Sequence, residues 1–183
     1  MKKALRSSLV FLALGACVAQ ATQNSDFKGL QLSPRGRVAY DRLRSACMFR
    51  VGGVGFGGET SKEELALYEL LDEKQAVEAL KTLVTAGSYE GGLYGLLGLS
   101  LGNKAEFDRA VEVYNARHER PEWQATGSFE CFRATGDAVT TQSGCIIMSE
   151  PRTKVVTGIQ AGDYQRLLTL GRMGARTKRG LRP

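Results

Sequence analysis

Apolar residues between Ser61 and Arg117 recur at the three- and four-residue steps that put one face of an α-helix against a core. Leu65, Tyr68 and Leu71 form one run, Ala76, Leu80, Leu83 and Val84 a second, Leu93, Leu96 and Leu97 a third, and Phe107, Ala110, Val111 and Tyr114 a fourth. Four short helices are predicted. Asp72-Glu73-Lys74 separates the first two, Ala86-Gly87-Ser88 ends the second, and Gly102-Asn103 ends the third with residues that tolerate a left-handed C-cap. This punctuation predicts two antiparallel helical hairpins, over about 61–86 and 88–116.

Upstream, Ser33-Pro34 reads as an N-cap with proline at the first helical position, opening a helix that runs to about Ala46. A short apolar run, Cys47 to Val51, leads into Gly52-Gly-Val-Gly-Phe-Gly-Gly58. Within it Gly53, Gly55 and Gly58 satisfy G-x-G-x-x-G, but Gln75 to Leu83 has helical periodicity, so the following strand and acid of a dinucleotide-binding unit are missing. The stretch is expected to be a flexible or tightly turning connector with Val54 and Phe56 pointing into the core. Thr60 or Ser61 with Glu63 or Glu64 then makes a capping box.

The third helix carries Gly91, Gly92, Gly95 and Gly98, and each interior glycine costs up to ~1 kcal/mol relative to alanine. Gly91 and Gly95 lie at i, i+4, and Gly95 and Gly98 at i, i+3, so they form a strip without side chains. Either a neighbouring helix packs closely there or Gly91, Gly95 and Gly98 line a groove for a partner.

From Ser128 the period changes to two. Strands are expected around Phe129 to Arg133, over Val139 to Met148 after a turn at Gly136-Asp137, and over Lys154 to Ile159 after Pro151. A short helix through Tyr164, Leu167, Leu168 and Leu170 follows. The expected fold is mainly α with a small β part (α+β): a helical part over 33–118, then a three-stranded β-meander and a C-terminal helix over 128–170, in a single globular domain over 22–170.

The ends read differently. Lys2, Lys3 and Arg6 precede an apolar or small run from Ser7 to Val18, too short to span a bilayer, so residues 1–21 are expected to be a signal peptide. Two cleavage patterns stay open: Ala19-Gln20-Ala21 before Thr22, and Leu14-Gly15-Ala16-Cys17, which resembles a lipobox and would leave Cys17 acylated. The formal charge of +6 belongs to the ends. Residues 171–183 hold five basic residues and no acid and read as a disordered tail, while residues 22–170 carry a net −2. A near-neutral body argues against a nucleic-acid surface.

Export bears on the cysteines, since pairs oxidise outside the cytoplasm. Cys131 and Cys145 are the expected disulfide, closing a loop of about 15 residues worth roughly 3 kcal/mol in the chain-entropy model, although a tight turn at Gly136-Asp137 would leave Cys145 out of register. Cys47 is expected to be a buried apolar residue. His118, the single histidine, sits between Arg117 and Glu119 and reads as surface, which removes most zinc sites and most histidine-dependent catalysis. No catalytic residue, cofactor or metal ligand is predicted.

The short helical hairpins loosely resemble HEAT-type α-solenoids. The run Phe49-Arg-Val-Gly-Gly-Val-Gly-Phe-Gly-Gly58 before them resembles exported bacterial proteins with Phe-x-Val-Gly-x-Val-Gly-Phe-Gly-Gly at that place, a resemblance that implies no activity. The expected function is that of an exported, non-enzymatic, protein-binding or scaffold protein of the periplasm or cell envelope, its partner another envelope protein. The alternative is a structural or regulatory lipoprotein held at the membrane by Cys17 and the basic tail, and a more distant one is a nucleotide- or thiol-dependent enzyme.

Overall fold

Ser33 and Pro34 start the first helix as the sequence predicts. In the computed structural model, which describes residues 29–117 and 137–168, the Gly36 N–H donates to the Ser33 hydroxyl at 3.1 Å and α1 spans Pro34–Arg44. β1 (Phe49–Val54) follows and returns as the two-residue β2 (Glu59–Thr60). Then come α2 (Lys62–Leu71), α3 (Ala76–Ala86), α4 (Tyr89–Gly102) and α5 (Lys104–Asn115). The second described stretch holds β3 (Ala138–Gly144), β4 (Ile146–Pro151), α6 (Arg152–Ala161) and a helical run over 163–168. The fold is α+β, mainly helical with one small sheet.

The four central helices lie where the spacing places them, but they do not pair as expected. The broadest helix contact is α3 against α4, followed by α1 against α2, while α2 and α3 barely touch. α4 explains this. Eleven of its fourteen residues are buried, so it is the inner helix on which the others pack, apolar on every side rather than on one face.

The glycine strip makes that inner position possible, and it is not a partner groove. A Cβ at Gly91 would lie 2.4 Å from the Leu43 carbonyl oxygen of α1, and one at Gly95 would lie 2.7 Å from the Leu80 carbonyl oxygen of α3. At Gly98 the Leu80 side chain would be 2.5 Å away. The main chains of α1 and α3 and the Leu80 side chain already occupy the strip. Asn103 also departs from expectation: its φ of −148° is not left-handed, and its side chain instead accepts the Glu106 N–H and caps α5.

The sheet order is β2-β1-β3-β4, not a meander. β1 pairs antiparallel with β2 and parallel with β3, with Phe49 opposite Thr141, and β3 pairs antiparallel with β4. Residues far apart in the chain thus share one ladder. The expected strand over Val139 to Met148 is really a hairpin, folded at Gly144 (φ +57°) and Cys145, because Ser143-Gly144 is itself a turn signal. The expected strand over Lys154 to Ile159 is helix α6. Val155, Val156 and Ile159 are buried on one face at i, i+1, i+4, so packing overrides the strand preference of β-branched residues. The expected strand around Phe129, along with His118, Cys17, Cys131, the leader and the tail, lies outside the described residues.

One core runs from Leu32 to Leu168 through the helices, β1 and β3. The Phe49 ring lies 4.9 Å from that of Tyr94 on α4 and 5.1 Å from that of Tyr164 in the terminal helical run. Tyr94 also takes the place of a strand neighbour: its hydroxyl accepts the Arg50 N–H at 2.7 Å and donates to the Arg50 carbonyl at 3.0 Å. Burial pushes its phenol far above the ordinary value. Ser88 joins α4 to α1, accepting the Gly91 N–H at 2.8 Å while its hydroxyl donates to the Ala46 carbonyl.

Candidate functional site

At one end of the sheet two turns meet. β1 leaves the core at Val54 and reverses through Gly55 to Gly58, where φ values of +69° and +59° at the first and last glycine close a turn other residues would strain. Gly53 needs its glycine for another reason, since a Cβ there would lie 2.9 Å from the Gly58 Cα across the hairpin. The G-x-G-x-x-G pattern therefore folds as a β-hairpin tip. The Gly55 N–H donates to the Gly144 carbonyl at 2.8 Å, which stitches this tip to the turn between β3 and β4.

Apolar side chains crowd the joined turns on the outside. Phe56, expected in the core, is fully exposed at 102%, because the chain folds back within four residues and leaves the ring at the apex. Beside the second turn, Ile146 is 64% exposed, and Ile147 and Met148 are exposed along β4. β4 is an edge strand among the described residues, so its outer backbone groups add an unpaired ladder to this apolar surface. Ile-Ile-Met is an unbroken apolar run, so its alternating side chains are exposed on both faces of the strand.

Cys145 stands at the same turn with a free, exposed thiol. The expected pairing of Cys131 with Cys145 is corrected: Cys145 is unbonded, whereas Cys47, half-buried before β1, is disulfide-bonded. The fold explains why Cys145 is spared, since the hairpin turn carries it to the outer tip of the sheet, away from the core. Iodoacetamide applied to the folded protein is expected to modify Cys145 and to leave Cys47 unmodified until reduction, as peptide mass mapping would show. Cys145→Ser should change stability by less than about 0.5 kcal/mol.

Two other clusters have polar chemistry. Between α3 and α5 a groove of about 270 Å³ has a floor of Val84, Ala110 and Val113 and a rim of Lys81, Glu106 and Arg109. Glu106, with a lesser contribution from Glu78, raises the Lys81 ammonium above its ordinary value across contacts of 3.4 Å. Deeper, the buried Arg152 guanidinium lies over the Tyr89 and Tyr114 rings at 4.6 and 5.2 Å from their centroids, and Arg117 flanks the same rings. These arginines donate to main-chain carbonyls: Arg152 to those of Tyr114 and Arg117, and Arg117 to those of Val84 and Gly87. They satisfy helix C-termini, where carbonyls lack partners within the helix.

Among the described residues no group of three or more His, Cys, Asp and Glu could hold a metal ion. The carboxylates at the helix starts are dispersed. Glu63 faces Arg50 at 4.0 Å, and Glu73 receives the Ser33 hydroxyl and N–H, which hold its carboxyl below the ordinary range. Compared with known protein families, curated proteins and solved structures, the chain matches none of them.

Proposed function

We propose that this chain is a non-enzymatic, exported protein of the bacterial envelope that binds another protein through the open end of its sheet. The observation that carries this reading is the exposure of four large apolar side chains, Phe56, Ile146, Ile147 and Met148, at or beside two turns tied by the bond from Gly55 to Gly144. A fully solvated phenylalanine at a hairpin apex does nothing for the fold, whereas clustered exposed apolar groups are typical of interaction sites. The disulfide at Cys47 supports export, because such bonds persist in oxidising compartments. No described helix is long and apolar enough to cross a membrane. The Leu14-Gly15-Ala16-Cys17 sequence favours a second arrangement of the same protein, in which an acylated Cys17 and the basic tail hold it at the membrane. The mass of the mature N-terminus separates the two, an unmodified Thr22 end excluding the anchor.

The native Cys145 thiol allows a direct test. A thiol-reactive photo-crosslinker attached there is expected to trap a defined species in envelope extract, and Phe56→Ser is expected to abolish it at an unchanged melting temperature. Burying a phenylalanine side chain contributes about 1.5–3 kcal/mol, so binding should weaken roughly tenfold to a hundredfold. A crosslink that survives Phe56→Ser and Ile146→Thr together sinks the proposal.

A further inference from the structure

Glu64 lies in the first turn of α2, where a solvated acid would serve the helix dipole, yet it is fully buried. Ser61 caps the helix by accepting the Glu64 N–H at 3.0 Å, but the Glu64 side chain makes other contacts. It reaches β1, where its Oε2 accepts the Gly52 N–H at 2.9 Å. Its Oε1 lies 2.6 Å from the Tyr68 hydroxyl, which lies 2.8 Å from the Leu168 carbonyl of the terminal helical run. The same run sets the Leu167 side chain 3.4 Å from the site of a Cβ on Gly52.

A tyrosine hydroxyl has one proton to give. Carboxylate and carbonyl are both acceptors, so with Glu64 ionised one of the two short contacts lacks a hydrogen. With Glu64 protonated, its own O–H donates to the Tyr68 oxygen and the Tyr68 proton goes to Leu168. Both contacts are then hydrogen bonds.

We infer that Glu64 is a proton-operated latch: protonated, it seats the helical run over 163–168 against β1 and α2, and ionised, it loosens that run. Among the described residues, the surroundings leave the anion poorly compensated. From β1, Arg50 is directed to Glu63 at 4.0 Å, and from α4 the neighbouring titratable group is the Tyr94 phenol. On α1 the residues Arg35, Arg37, Asp41 and Arg42 are exposed, as are Asp163 and Arg166 on the run itself, so water screens them. Burial raises the Glu64 carboxyl above its ordinary 4.5, outweighing the hydrogen bonds from Tyr68 and Gly52 that lower it.

Linkage sets the sign. A carboxyl that holds its proton more tightly when folded contributes stability that is fully present below the unfolded value of 4.5 and is lost as pH rises through the raised folded value. Hydrogen exchange of the full chain, corrected for intrinsic rates, measures this at residues 163–168 and at the Gly52 amide. Protection in the wild type is expected to fall severalfold as pH rises from below 4.5 toward neutrality. Glu64→Gln, whose amide donates to Tyr68 and accepts from Gly52, should keep protection high and flat. Wild-type protection that does not change with pH, or a Glu64→Gln variant that shows the same fall, overturns the latch. A carbon-13 titration of the wild-type Glu64 carboxyl needs no variant: a midpoint above 4.5 supports the inference, and one at or below 4.5 ends it.

Discussion

Gly95→Leu is expected to abolish the cooperative thermal unfolding transition. Even the first added atom, a Cβ, would lie 2.7 Å from the Leu80 carbonyl oxygen, 2.8 Å from Val84 Cγ2 and 3.2 Å from Leu83 Cβ. Helix main chain cannot turn aside as a side chain can, so α3 would have to separate from α4 along the broadest contact in the fold. Overpacking a core by a few methylenes costs about 1–3 kcal/mol, and more where backbone must move, against a total stability of about 5–15 kcal/mol. Gly102→Ala is the control, because nothing lies within 4 Å of its Cβ position. Helix propensity alone should then stabilise the protein by about 0.5–1 kcal/mol. Melts followed by circular dichroism would decide: a Gly95→Leu protein that unfolds within a few degrees of the wild type would show that α3 and α4 are not packed through the glycine strip.

Arg152→Ala should lower stability by about 3–6 kcal/mol, since it removes two hydrogen bonds from a charged group, each worth about 1.5–3 kcal/mol, and leaves the two carbonyls unpaired. Arg152 is 4% exposed, and its guanidinium donates to the Arg117 carbonyl at 2.8 Å and the Tyr114 carbonyl at 3.3 Å, at the end of α5. It also pairs with Asp137 at 2.8 Å, but that carboxylate is 65% exposed and solvent screens it. Asp137→Asn should therefore cost less than about 1 kcal/mol. Lysine is no substitute, since a point charge lacks the planar fork that sets Nη1 on both carbonyls and Nη2 on Asp137 while lying over the rings of Tyr89 and Tyr114. Equal losses for Arg152→Ala and Asp137→Asn in chemical denaturation would mean that the surface ion pair, not the helix end, is what Arg152 stabilises.

Local signals were legible wherever the responsible groups are close in the chain. The N-cap at Ser33 and the helical runs around Leu80 and Tyr114 depend on hydrogen bonds and side-chain spacing within a few residues. The Ser143-Gly144 turn is equally local, but the β-branched residues on either side of it favour a single strand. Segment 152–161 carries a strand signal because Val155, Val156 and Ile159 prefer strands in isolation, a preference of under about 1 kcal/mol that burial on one helical face exceeds.

The candidate site was less visible. Glycine-rich sequence between Gly52 and Gly58 announces a turn but not the direction in which the ring of Phe56 points, which depends on where β2 comes back. The acid at Glu64 looked like a capping-box member, and only the approach of β1 and the terminal helical run turns it inward. The free thiol at Cys145 and the bonded one at Cys47 likewise reflect which residues the fold brings within bonding distance.

From the sequence alone come α1 to α5, the cap at Ser33 and the strip without side chains along Gly91, Gly95 and Gly98, because these follow from spacing and propensity over a turn or two. Tertiary structure alone decides that α4 is the inner helix, that β1 lies parallel to β3, and that Phe56 and Ile146 are left exposed beside joined turns. Those outcomes depend on pairing between segments some 90 residues apart, where chain entropy opposes every arrangement to nearly the same extent and the burial of the assembled core selects one.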